Sequence, residues 1–159
     1  MAVFNRLDAC CGTMDSMMPQ SLKSNGLPGA HTVRHVFVYG TLRRGGRNDI
    51  ARFRPEPFFV ADAAIAGTLY DLGAYPGVVL GGKRGVVGEI YRIEPEVEAA
   101  LDVLEEVADD GSGEYLKRHV MVEVGAQQYE CLVYEIHPSR IAGRAVIKSG
   151  DWIAHAAAR

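Results

Sequence analysis

Two groups of residues in this chain have the types and spacing to do chemistry. The first is a glycine-bounded loop, Gly40-Thr41-Leu42-Arg43-Arg44-Gly45, which follows the strand-like run "VFVY". The second is a set of carboxylates, Glu96, Glu98, Asp102, Glu105 and Glu106, on one predicted helix. The loop has the G-x-x-x-x-G spacing of a phosphate loop. That motif continues with Lys, which reaches the β/γ-phosphates, and Ser or Thr, whose hydroxyl binds magnesium. Gly46 and Arg47 stand in those places here, so the phosphate reading fails at the positions that carry its chemistry. Two readings remain. Amides after Gly40 can converge on an anion or a developing oxyanion, or the glycines simply turn the chain.

The carboxylates separate when projected at about 100° per residue. Val97, Ala100, Leu101, Leu104 and Ala108 form an apolar stripe. Glu105 lies roughly 40° from Leu101, at the margin of that stripe, whereas Asp102 and Glu106 lie roughly 100° and 140° away. A carboxylate at an apolar margin is partly desolvated, which lifts its pKa toward the range of a general acid or base. The same position also suits a buried ion pair, and the projection leaves both open. An inward cation is available in "YLKRHVMVEV". Leu116, Arg118, Val120, Val122 and Val124 share one strand face, so Arg118 is expected to point inward and to need an anion.

Short elements must position these groups. "RHVFVY" reads as a strand and "RNDIARF" as a short helix after the loop. "AAIAGTLYDL", "YPGVVL" and "GVVGEIYRI" read as further strands, two with internal glycines of the kind that mark bulges. "EPEVEAALDVLEEVA" is the one clear helix, with Pro95 in its first turn. "YLKRHVMVEV" and "YECLVYEI", joined by "GAQQ", form a hairpin. Strands followed by one helix and a hairpin predict an α+β fold, a small mixed-strand barrel or roll. Residues 1–33 lack periodicity and mix Pro, Gly, Ser and Asn, so they are expected to be a flexible tail before a domain spanning 34–159.

Bulk properties narrow the function. A chain of 159 residues suits one domain, and a formal net charge of −3 argues against a nucleic-acid partner. No apolar run approaches the roughly 20 residues of a membrane span, and the N-terminus has no signal-peptide pattern. Cys10, Cys11 and Cys131 form neither a disulfide framework nor a zinc spacing. The expected setting is cytoplasmic, with no membrane or metal.

"VYGTLRRG", "YPGV", "LDVLEEV…EYLKR", "VYEI" and "SGDW", in this order, resemble the gamma-glutamylcyclotransferase-like family. The nearest branch resembles the gamma-glutamylamine cyclotransferases. The resemblance runs from about Val36 to His155 and implies a small mixed barrel. It also implies cyclisation of a gamma-glutamyl group to 5-oxoproline without a cofactor, on a small-molecule partner. Residue by residue, it implies that Tyr39, Gly40, Thr41 and Leu42 hold the glutamyl end and that Glu105 is the catalytic acid–base. Tyr75, Tyr115 and Tyr134 match positions in or behind the pocket. Two departures bear on substrate identity: Glu106 stands where the family often has glycine, and the loop "ADDGSGE" is polar and has no proline. A ligand-binding barrel without turnover, or another acyl or amine transfer on a gamma-glutamylated metabolite, are the competing readings.

Overall fold

A computed structural model of the chain describes residues 33–159. The predicted tail, Val33 excepted, lies outside the described residues. Six strands and two α-helices follow one another as β1 (Arg34–Val38), β2 (Phe58–Asp71), β3 (Pro76–Ile93), α1 (Pro95–Leu104), β4 (Tyr115–Val124), β5 (Gln127–Ile136), β6 (Ala145–Val146) and α2 (Trp152–Ala157). A 3-10 turn at Ile50–Arg52 stands where the short helix was expected. The strands form one mixed sheet in the order β4-β5-β1-β3-β2-β6.

β1 lies in the middle of this sheet, parallel to β5 and antiparallel to β3. Its Val36–Val38 stretch is accordingly a continuous apolar run, buried at every residue, rather than an alternation. Val36 and Val38 enter a core shared with Val97 and Leu101 of α1. Phe37 and Tyr39 enter the other core, with Val78, Ile90, Val133 and Trp152. The strand therefore joins the two halves of the interior.

The sheet curls because β3 pairs twice. Its second half lies beside β1, with Val38 opposite Glu89. Its first half lies beside β5, with Val78 opposite Glu135. Where β1 stops, β3 thus takes its place beside β5, and the sheet begins to close into a half-barrel. Glycine permits this approach: a Cβ on Gly77 would stand 2.6 Å from Cβ of Ile136. The two strands expected over residues 75–93 are one strand, interrupted in register. Ala66 faces Gly85 and Gly67 faces Leu80, so residues 81–84 bulge out of the pairing. Gly81 and Gly82 carry the positive φ values that this bulge requires, 96° and 84°.

Helix α1 is shorter than its sequence suggests. Pro95 occupies the first turn and Glu96 and Glu98 favour the positive end of the dipole. Only Val97 and Leu101 of the expected stripe are buried; Ala100 is exposed, Leu104 is 42% exposed, and Ala108 lies past the helix end. The helix stops in a Schellman motif. The N–H of Glu106 donates to the Val103 carbonyl at 3.3 Å and that of Val107 to the Asp102 carbonyl at 3.0 Å. Glu106 adopts φ 50°, a conformation that normally selects glycine. Glu105 is the cap residue, and its N–H still donates to Leu101 at 2.9 Å. The helical projection therefore holds to Glu105 and fails immediately after it.

Arg118 departs from expectation. The face it shares with Val122 is buried at Val122 but open at Arg118, whose side chain is 49% exposed. Its Nε donates to Glu135 Oε2 at 2.9 Å. Arg118 lies on β4, an edge strand of the sheet, and its neighbour His119 is exposed as well.

Candidate active site

The loop Gly40–Gly46 leaves the sheet where β1 ends. It is a series of tight turns: Arg43 N–H donates to Gly40 at 3.1 Å, Gly46 to Arg43 at 2.8 Å, Asn48 to Thr41 at 3.0 Å and Ile50 to Leu42 at 2.9 Å. Among the described residues no group accepts from the N–H of Gly40, Thr41 or Leu42. Gly40 and Leu42 are buried. Buried amides without an acceptor are costly unless something else supplies one. Gly40 also lies against the start of β3, since a Cβ there would be 2.8 Å from Pro76 Cγ.

Three tyrosines fasten the segments around this loop. Tyr39 Oη donates to the Tyr134 carbonyl at 2.6 Å and accepts from Val78 N–H at 3.4 Å. It fills the junction at which β1 ends and β3 meets β5. Tyr115 Oη donates to the Pro76 carbonyl at 2.8 Å, tying β4 to the start of β3. Tyr134 Oη donates to Asp102 Oδ1 at 2.7 Å and so holds β5 against α1. Burial pushes all three phenols up, so they stay neutral in the working range.

Glu105 occupies the facing wall. It is half-buried, and no cation lies within ion-pair distance of it among the described residues. The ion-pair alternative left open by its position is therefore not realised. Burial pushes its carboxyl up to about 7, and the nearby Glu114 charge adds to the effect. The neighbouring acids differ. Asp102 pairs with Lys117 at 2.8 Å, Glu98 pairs with both Lys117 and Arg34, and Glu106 faces solvent. Glu114 is placed by the loop after α1, where its N–H donates to the Glu106 carbonyl at 3.1 Å. Its Oε1 accepts from Tyr75 Oη at 2.7 Å.

These groups enclose one pocket of about 110 Å³. Tyr39, Gly40, Thr41, Leu42, Tyr75, Glu105, Tyr115 and Tyr134 all line it; Arg118 does not. Asn48 and Glu114 line it as well and were missed in the sequence. Asn48 Nδ2 donates to Thr41 Oγ1 at 3.2 Å, a contact across the loop that the linear pattern does not reveal. Glu114 had a weak signal, as the last residue before a strand that begins with a buried tyrosine.

The model of the gamma-glutamyl cyclotransferase, AIG2-like family matches residues 36–154, which contain the loop, Glu105 and every wall of the pocket. The chain belongs to that family. Its function is of the gamma-glutamylcyclotransferase type, and the protein is an enzyme. The gamma-glutamylcyclotransferase family protein YtfP of Escherichia coli K12 is 33% identical over 120 residues, spanning 74% of this chain and 95% of that one. The gamma-L-glutamyl-butirosin B gamma-glutamyl cyclotransferase of Niallia circulans is 38% identical over 87 residues, 54% of each chain. Among solved structures, an AIG2-like protein from mouse superposes with a TM-score of 0.56 at 26% identity, covering 70% of this chain and 84% of that one. YkqA of Bacillus subtilis superposes with a TM-score of 0.61 at 26% identity; 77% of this chain matches 40% of that longer one. In this cyclotransferase, Glu106 takes a left-handed backbone at the helix end, directly after the pocket residue Glu105.

Proposed function

We propose that this cyclotransferase converts a gamma-glutamyl group to 5-oxoproline and releases the attached amine, with Glu105 moving the protons. One observation carries the reading: a carboxyl raised to about 7, with no cation beside it among the described residues, shares a pocket with the Gly40, Thr41 and Leu42 amides, which have no acceptor among those residues. Such a group is half-ionised near neutral pH, which suits a base that must also return its proton.

In this scheme the substrate's own α-amine is the nucleophile, so no serine or cysteine is required. Glu105 takes a proton from the α-ammonium. The freed nitrogen bonds to the side-chain carbonyl carbon, and the carbonyl oxygen takes up the negative charge. Backbone N–H groups of the loop serve either that oxygen or the substrate α-carboxylate. Collapse breaks the original C–N bond as the leaving nitrogen is protonated. The α-nitrogen loses two protons and the leaving nitrogen gains two, so no co-reactant is consumed. Holding the amine against the carbonyl supplies proximity worth several kcal/mol.

A panel of gamma-glutamyl amines and gamma-glutamyl amino acids, assayed for 5-oxoproline, tests this function. Release from at least one of them is expected. Binding without release from any would favour a non-catalytic barrel, and release of a different product would favour another acyl or amine transfer.

A further inference from the structure

The loop amides are useful only if their direction is fixed; besides the bonds from Asn48 and Ile50, the turn is held by a buried pair, Glu89 of the sheet and Arg43 of the loop itself. Glu89 of β3 is 4% exposed and Arg43 of the loop 9%. Glu89 Oε1 accepts from Arg43 Nε at 3.2 Å, and Oε2 accepts from Arg44 N–H at 3.0 Å and Tyr91 Oη at 2.8 Å. Arg43 continues through Nη1 to Asp151 Oδ1 at 2.8 Å. Asp151 is the N-cap of α2, and the same oxygen accepts from Ile153 and Ala154 N–H at 3.0 and 3.3 Å. None of Arg43, Glu89 or Asp151 lines the pocket.

We propose that Arg43, Glu89 and Asp151 are positioning residues that aim the Gly40–Leu42 amides, so that the cap of the C-terminal helix governs how tightly the glutamyl end is held. This rests on the cyclotransferase reading above. The physical case is that a buried guanidinium keeps its geometry only while both of its carboxylates are present. Arg43 is within the turn whose first three amides form the proposed cradle, and its own N–H closes that turn onto Gly40. Releasing one end of its side chain leaves a buried charge free to seek water, and the turn moves with it. Lysine cannot substitute, since a single ammonium does not span two carboxylates in fixed directions.

Asp151→Ser separates this role from capping. Serine is a good N-cap, so α2 keeps its start, but the shorter side chain withdraws the acceptor and the charge from Arg43. His155→Ala is the control: it removes the 2.8 Å contact from α2 to Asp71 and leaves Arg43 alone. With a gamma-glutamyl substrate, Asp151→Ser should raise KM about tenfold and leave kcat within about twofold. His155→Ala should lower Tm at least as much and leave KM unchanged. Independently of turnover, Asp151→Ser should weaken 5-oxoproline binding by a similar factor in calorimetry and speed hydrogen exchange at Arg43 and Arg44 N–H. Unchanged affinity and exchange in Asp151→Ser, or equal loss of affinity in His155→Ala, would overturn the proposal. If the wild-type enzyme released no 5-oxoproline from any substrate, the cyclotransferase reading would fail, while the titration and exchange would still decide the positioning role.

Discussion

Glu105 and Glu106 are adjacent, yet the chain turns between them from helical to left-handed backbone. Glu105 caps α1 at φ −86° and lines the pocket; Glu106 follows at φ 50° and faces solvent. Equal chemistry in opposite settings makes the pair its own control.

Glu105→Gln should fold, bind a gamma-glutamyl compound and release 5-oxoproline at least about a hundredfold more slowly, the low end for loss of a general acid–base group. Glu106→Gln removes the same charge and should cost little. Steady-state kinetics of the two variants decides the matter. Loss in the second and not in the first would assign the proton transfer to the wrong residue.

The raised Glu105 carboxyl makes two pH profiles diverge. As a base it must be ionised, so kcat/KM should rise with pH and level off above about 7. Stability should move the other way. The folded carboxyl, at about 7, holds its proton more tightly than the unfolded one at 4.5. Stability from this group is therefore fully present below 4.5 and is lost as pH rises to about 7, to the extent of about 3 kcal/mol. Denaturant titrations from pH 4 to 8 should show that slope in the wild type and not in Glu105→Gln. A parallel slope in both would mean that another group is responsible.

The loop should act through its backbone. Gly40→Val places a branched side chain against Pro76, whose Cγ would be 2.8 Å from the new Cβ. It should abolish 5-oxoproline binding and lower Tm. Thr41→Ala removes only the hydroxyl that accepts from Asn48 and should change KM less than about tenfold. Calorimetric titration of both variants with 5-oxoproline is the check, and equal harmlessness would remove the loop from the binding site.

Glu106→Gly should stabilise the enzyme by roughly 1 kcal/mol, because glycine takes the left-handed position in a Schellman motif without the Cβ penalty. Activity should be retained. A urea midpoint unchanged or lowered would show that the Glu106 side chain makes a compensating contribution.

Short-range signals in the sequence determined a good deal of this enzyme. The apolar run ending at Gly40, the Pro95 helix start and the β4–β5 hairpin follow from residues close together in the chain, and the structure contains each of them. The helical projection placed Glu105 apart from Asp102 and Glu106 because its hydrogen bond to Leu101 extends the helical spacing that far. Tertiary structure decided what surrounds those residues. The sequence offered Arg118 as an inward cation and left Glu105 either paired or free; Arg118 stands half in solvent beside Glu135, and among the described residues no cation reaches Glu105. Nor could local pattern place Tyr39 Oη between the Tyr134 carbonyl and Val78 N–H, or bring Arg43 between Glu89 and Asp151. Those contacts depend on Val78 pairing with Glu135 and on α2 returning beneath the loop. A carboxylate's pKa is set by what is missing around it as much as by what is present, and only the closed fold specifies which charges and waters are kept away.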